Sequence, residues 1–195
     1  MSSFPEVTRC NPNSLWSTWI HHGPVTIGGK KMSKSAGNSV FVKDLLKDFS
    51  PEALRLLLLN RHYRKPLDFS PEKLSSAQTA LVRLHRRLHR LGLKAGGEDF
   101  KPTEGVRRPS PSAEVFRGRF LDFLAQDINT AAACAFLFDT VKKMESEDAS
   151  NRKFDPVFFV SSDIRALFGE VFKAGAVLGI INPCPVAFLS KWAPH

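Results

Sequence analysis

Apolar residues recur at helical spacing along most of the chain beyond residue 43, whereas the first forty residues show no such period. The clearest case is Leu74, Ala77, Leu81, Leu84, Leu88 and Leu91, which step by three and four, the repeat that turns one face of a helix toward a core. Ser70-Pro71-Glu72 opens it. Serine is a preferred N-cap, proline fits the first helical turn, and an acid there favours the positive end of the helix dipole. The same triplet, Ser50-Pro51-Glu52, predicts a second helix, apolar on nearly all sides through Leu59, and a short helical stretch from Lys43 to Phe49 precedes it.

Three more helices are expected. One covers Ala113–Ala125 with Val115, Phe116, Phe120, Phe123 and Leu124 inward; one follows Asn129-Thr130 and carries Leu137, Phe138, Val141 and Met144. The third, near Asp163–Leu178, buries Ile164, Leu167, Phe168, Val171 and Phe172. Residues 92–112 are rich in Gly, Pro and charge without a period and read as an internal linker. Residues 1–42 mix Pro, Gly, Trp and Asn with short apolar stretches at Trp19–Ile20 and Val25–Ile27, leaving room for one short hairpin. The expected fold is therefore mainly α, an antiparallel helical bundle over 43–190 behind a short irregular segment at 1–42, with no convincing strand pairing.

Composition changes this picture little. With 195 residues, 43% of them hydrophobic and 24% charged, the chain can bury one sizeable core. Its longest apolar run, Leu56–Leu59, is far too short to span a bilayer, and Met1–Cys10 lacks a secretory pattern, so a cytoplasmic protein is expected. Cys10, Cys134 and Cys184 form no CxxC pair; neither a disulfide framework nor a metal site is expected, and Cys134 reads as a small core residue. His21 and His22 are adjacent and do not converge with Cys10 on one ion at any usual ligand spacing.

The net charge of +9 adds a polyanionic partner to the expectations. Opposite the leucines of the helix beginning at Pro71, Arg83, His85, Arg86, Arg87, His89 and Arg90 make a basic stripe. Arg83, Arg86, Arg87 and Arg90 suit a nucleic-acid backbone, and they suit plain solvation equally.

The chemistry concentrates between Gly28 and Asn38, where eleven residues hold three lysines, two serines and three glycines. Mobile ammoniums and backbone N–H groups can follow charge spread over several phosphate oxygens, and glycine lets the backbone come close. Within it, Lys31-Met32-Ser33-Lys34-Ser35 matches letter for letter the KMSKS signature of class I aminoacyl-tRNA synthetases. Trp19-Ile20-His21-His22-Gly23-Pro24-Val25, Ser50-Pro51-Glu52-Ala53-Leu54-Arg55, Arg61-His62-Tyr63-Arg64-Lys65-Pro66-Leu67-Asp68-Phe69-Ser70 and Asp127-Ile128-Asn129-Thr130 resemble, in order, further motifs of the cysteinyl-tRNA synthetases. The resemblance runs from about Trp19 to about Phe188.

The resemblance implies ATP, with Mg2+, and a cysteine-specific tRNA as partners, a helical region of the DALR type, Lys34 as the ATP contact with Lys31 assisting, and Ser33 and Ser35 shaping the loop. It also implies a zinc site and a nucleotide-binding half with a His-Ile-Gly-His signature, and the residues of this sequence match neither. The expectation is a truncated synthetase, inactive alone, whose missing half a separate polypeptide could carry. A non-catalytic RNA-binding helical module and a fragment of a mycothiol-type cysteine ligase stand as alternatives.

Overall fold

Val25-Thr26-Ile27, two β-branched aliphatics around a threonine, fit a pleated strand, and the two glycines that follow fit a tight reversal. The computed structural model describes residues 20–35, 37–96, 110–146 and 164–193. Cys10, Trp19, Ala36, the linker positions 97–109 and Asp163 lie outside them. In it β1 (Val25–Ile27) turns through Gly28 and Gly29 into β2 (Lys30–Lys31), the antiparallel register pairing Ile27 with Lys30. Both glycines have positive φ, +56° and +76°, the combination a two-residue hairpin turn needs and an L side chain resists.

A third strand was not expected. Leu67–Phe69 forms β3, parallel to β1, with Val25 opposite Leu67, Thr26 opposite Asp68 and Ile27 opposite Phe69, giving the order β2-β1-β3. The pairing crosses the expected boundary at residue 42, so the irregular segment and the helical region share one small sheet. Gly23 makes the approach possible. Its N–H donates to the Tyr63 carbonyl at 2.7 Å, and a Cβ there would collide with the Lys65 backbone.

Seven helices are described: α1 (Val42–Asp48), α2 (Pro51–Leu59), α3 (Pro71–Gly96), α4 (Pro111–Ala125), α5 (Thr130–Ser146), α6 (Ile164–Leu178) and α7 (Pro185–Trp192). The Ser50 side chain accepts from Ala53 N–H at 3.1 Å, as the N-cap reading requires, while its own N–H donates to Gln78 Oε1 at 2.9 Å and ties α2 to α3. Two differences fall at the linker. Helix α3 continues through Gly96, into the stretch read as linker, and α4 begins at Pro111 because Ser110 caps it through Ala113 N–H at 3.2 Å. Ser110-Pro111 is thus a third serine–proline start.

Leucines and phenylalanines from α2 to α7 enclose one core, to which Phe69 of β3 belongs and against which Val25 and Ile27 of β1 pack. Helix α3 is its centre, touching α2, α5 and α7, while α4, α5 and α6 close the other side. Leu74, Leu81, Leu84 and Leu88 are buried as their spacing predicts. Leu58, half exposed, departs from the reading of α2 as apolar all round and buried. Cys134 is a core residue, and burial pushes its thiol up to about 12.

Candidate functional site

The hairpin delivers Lys30 and Lys31 at the mouth of a loop that returns to α1. Lys30, Lys31, Lys34 and Ser35 are exposed, and among the described residues none of the three lysines has an ion pair. Asn38 closes the loop from inside: its Oδ1 accepts from Ser33 N–H at 3.0 Å and its Nδ2 donates to the Lys31 carbonyl at 3.3 Å. Ser33 Oγ and Ser35 Oγ lie 3.3 Å apart, and Met32 N–H donates to the Val25 carbonyl at 2.9 Å. The backbone is held while the ammoniums remain free to meet an anion, and no atom lies within 4 Å of where a Cβ would stand on Gly28, Gly29 or Gly37.

Asp68 braces the same turn from β3. Its Oδ1 accepts from Thr26 Oγ1 at 3.0 Å and from Gly29 N–H at 3.2 Å, while its Oδ2 takes Lys73 Nζ at 2.9 Å. Lys73 first, then the Gly29 N–H and the Thr26 hydroxyl, hold this carboxylate down at about 2. Sequence reasoning named neither Asp68 nor Asn38 as a site residue; two polar residues beside a lysine-rich loop were the available signal.

A second cluster joins two distant motifs. Asp127, at the turn between α4 and α5, accepts from Tyr63 Oη at 2.6 Å and from Arg64 Nη2 at 3.0 Å, with His62 Nε2 3.6 Å away. The Tyr63 hydrogen bond, then Arg64 and His62, lower the Asp127 carboxyl. Asp127 and Ile128 adopt φ of 55° and 52°, left-handed values that non-glycine residues sustain only where the surroundings fix them. The next two residues explain the rest of the motif: Asn129 Oδ1 caps α5 through Ala132 N–H at 3.1 Å, and Thr130 Oγ1 donates to the Leu59 carbonyl at the end of α2 at 2.9 Å.

Residues 7–79 match the sequence profile described as the tRNA synthetases class I (C) catalytic domain. The chain is also 36% identical over 183 residues to the cysteine–tRNA ligase of Geobacter sp. (strain M21), an alignment covering 89% of this chain and 35% of that protein. The ligase of Desulfotalea psychrophila (strain LSv54 / DSM 12343) is 41% identical over 132 residues, 68% of this chain and 27% of the relative. That of Geobacter metallireducens (strain ATCC 53774 / DSM 7210 / GS-15) is 37% identical over 179, with 89% and 35% covered. Its homologues are cysteine–tRNA ligases. The chain spans about a third of the length of the cysteine–tRNA ligases it matches.

The match at 7–79 to the synthetase catalytic domain takes in the hairpin, the lysine loop, β3 and Asp68, and the alignments to cysteine–tRNA ligases run on into the later helices. The basic face of α3 is less uniform than its sequence suggested. Arg83 and Arg86 are exposed, whereas Arg87 Nε meets Glu145 Oε2 at 2.8 Å and Arg90 Nη2 meets the same carboxylate, bracing α3 against α5. His85 does not belong to this face. It is wholly buried, its Nδ1 2.9 Å from the Leu81 carbonyl and its Nε2 accepting from Asn182 N–H at 3.0 Å, with its ring stacked on Phe188 at 3.8 Å. Helix α7, not foreseen as a separate helix, is what covers it.

Among the described residues no group of three or more His, Cys, Asp and Glu side chains stands together to hold a metal ion, and no helix is long and apolar enough to cross a membrane.

Proposed function

We propose that this chain supplies the ATP-phosphate loop and the tRNA-facing helices of a cysteine–tRNA ligase, acting in the ATP-dependent joining of cysteine to its tRNA. The observation that carries the reading is the loop itself: three exposed lysines without ion pairs among the described residues, on a backbone fixed by Asn38 beside an open two-glycine turn. Lys31 and Lys34 contact the nucleotide's phosphates, which bring Mg2+ with them, and Ser33 and Ser35 shape the loop around them. Charge that develops on a leaving polyphosphate is stabilised by donors already in place. The donor set of the described residues does not fit a zinc ion, and no step is assigned to one.

The expected division at residue 42 is kept with one amendment, that β3 completes the sheet of the loop segment. The helices beyond it make a DALR-type bundle whose α3 turns Arg83, Arg86, Arg87 and Arg90 toward the tRNA backbone, the first two exposed and without an ion pair among the described residues. These 195 residues bind and do not activate cysteine on their own, because aligning amino acid and ATP supplies the larger share of the barrier and needs groups beyond this loop.

The test pairs three measurements on the purified chain: MgATP binding, binding of cysteine-specific against unrelated tRNA at two salt concentrations, and ATP–pyrophosphate exchange with cysteine. Lys31→Ala/Lys34→Ala is expected to weaken MgATP about tenfold, the scale of two phosphate contacts, and Arg83→Ala/Arg86→Ala to weaken tRNA with a shallower salt dependence. Unchanged MgATP binding in the lysine variant would remove the loop assignment. Exchange activity from the wild-type chain would overturn the claim that it binds without activating.

A further inference from the structure

We infer that Asp68 is a positioning residue for the lysine loop, an acid whose negative charge opposes phosphate binding and whose geometry makes that binding possible. The inference rests on the phosphate reading of the loop. It starts from the register of the sheet: Thr26 and Asp68 are direct partners across β1 and β3, so their side chains stand side by side on one face. From there Asp68 Oδ1 reaches both the Thr26 hydroxyl and the Gly29 N–H, and Lys73 at the start of α3 occupies Oδ2 and the Asp68 carbonyl, at 2.9 and 2.8 Å.

The consequence concerns Gly28-Gly29. A two-glycine turn is the most freely moving segment a hairpin can have, because each glycine visits both signs of φ at little cost. Strand β2 is only two residues long, too short to restrain the turn by pairing alone. Asp68 therefore fixes from outside what the hairpin leaves loose, and Lys30 and Lys31 follow directly on the fixed turn. Ordering the backbone that carries the ammoniums before the anion arrives lowers the entropy cost of gathering them around it.

Charge and position predict opposite signs. By Coulomb's law, removing an anion next to a cationic loop tightens polyphosphate binding; losing the brace weakens it. Asp68→Ala removes both charge and acceptors, whereas Asp68→Asn removes the charge and the acceptor for Lys73, which retains the Asp68 carbonyl, and keeps an oxygen for Thr26 and Gly29.

The experiment titrates inorganic tripolyphosphate into the full chain and follows the backbone amides of Gly28–Ser35 by NMR, with hydrogen exchange of the Gly29 amide measured on the same samples. Asp68→Ala is expected to bind about fivefold more weakly, on the scale of one ordering hydrogen bond, and to lose Gly29 protection. Asp68→Asn should bind at least as tightly as wild type with protection kept. Equal or tighter binding by Asp68→Ala would overturn the inference while leaving the loop reading intact, as would weakening by both variants alike. Loop amides that do not respond in wild type would overturn the phosphate reading, and the inference with it.

Discussion

The helical core and the lysine loop are built by different means. From α2 to α7 the structure rests on buried area: Phe116, Leu84, Leu137 and Leu167 are excluded from water, and serine caps set where α2 and α4 begin. Among the described residues, the sheet and loop contribute only Phe69 to the buried core. Their geometry is set by side chains bonding to backbone, Asp68 to Gly29 and Asn38 to Ser33 and Lys31. Apolar burial is non-directional and adds up over many contacts, whereas a few exposed hydrogen bonds fix direction and contribute little net energy. A loop held the second way can open locally at small cost while the core stays closed, as the proposed binding of phosphates requires.

Truncating the core should produce the largest effect. Phe116 is buried between Phe136, its ring centroid 5.2 Å away, and Phe120 at 6.1 Å. Phe116→Ala is expected to destabilise the chain by about 3–5 kcal/mol, read as a shift of the urea midpoint. Polyphosphate affinity of the folded fraction should not change. A loss below about 1 kcal/mol, or a parallel loss of affinity, would erase the separation between core and loop.

This division also explains what the sequence could reveal. Periodic leucines show a helix face locally, so α2 through α6 were legible within a few residues of their ends, and the lysines of the loop announce themselves by chemistry. The pairing of Leu67–Phe69 with Val25–Ile27 was not legible, because a three-residue strand has no period to read and its partner lies about forty residues earlier. For the same reason the Asp68 brace stayed hidden. His85 was misplaced because it stands between arginines in the sequence; its burial is decided by Asn182 and Phe188, about a hundred residues further on. The Tyr63–Asp127 contact joins two motifs each legible alone, but their meeting depends on the turn at Asp127 and Ile128.

His85 gives the next effect in size and sharpens the contrast, since it is a polar group held in the manner of the core. Nε2 accepts from Asn182 N–H, which leaves Nδ1 to donate to Leu81; protonation would place a second donor against the Asn182 N–H. Burial lowers the imidazole below its ordinary 6.5, with Glu52 the charged group that opposes the shift. The unfolded chain therefore binds more protons between the lowered value and 6.5, and stability rises with pH across that window. The contribution is complete above about 6.5 and is lost as pH falls through the window. His85→Leu should abolish this slope and, by leaving the Asn182 N–H unpaired, destabilise by about 1–3 kcal/mol at neutral pH. Urea midpoints at a series of pH values check both; a slope that survives the substitution would assign it to another group.

The smallest effect is expected in the loop, and its sign carries the information. Lys30, Lys31 and Lys34 are exposed like charges in one short segment without ion pairs among the described residues, so folding gathers them against their mutual repulsion. Surface substitutions away from caps and cores stay within about 0.5 kcal/mol, and relieving repulsion places Lys34→Ala on the stabilising side of zero. Sites that hold charge ready for a ligand trade stability for function in this way. If urea unfolding instead showed Lys34→Ala less stable by more than about 1 kcal/mol, this lysine would be part of the scaffold, and the loop would have to be regrouped with the core.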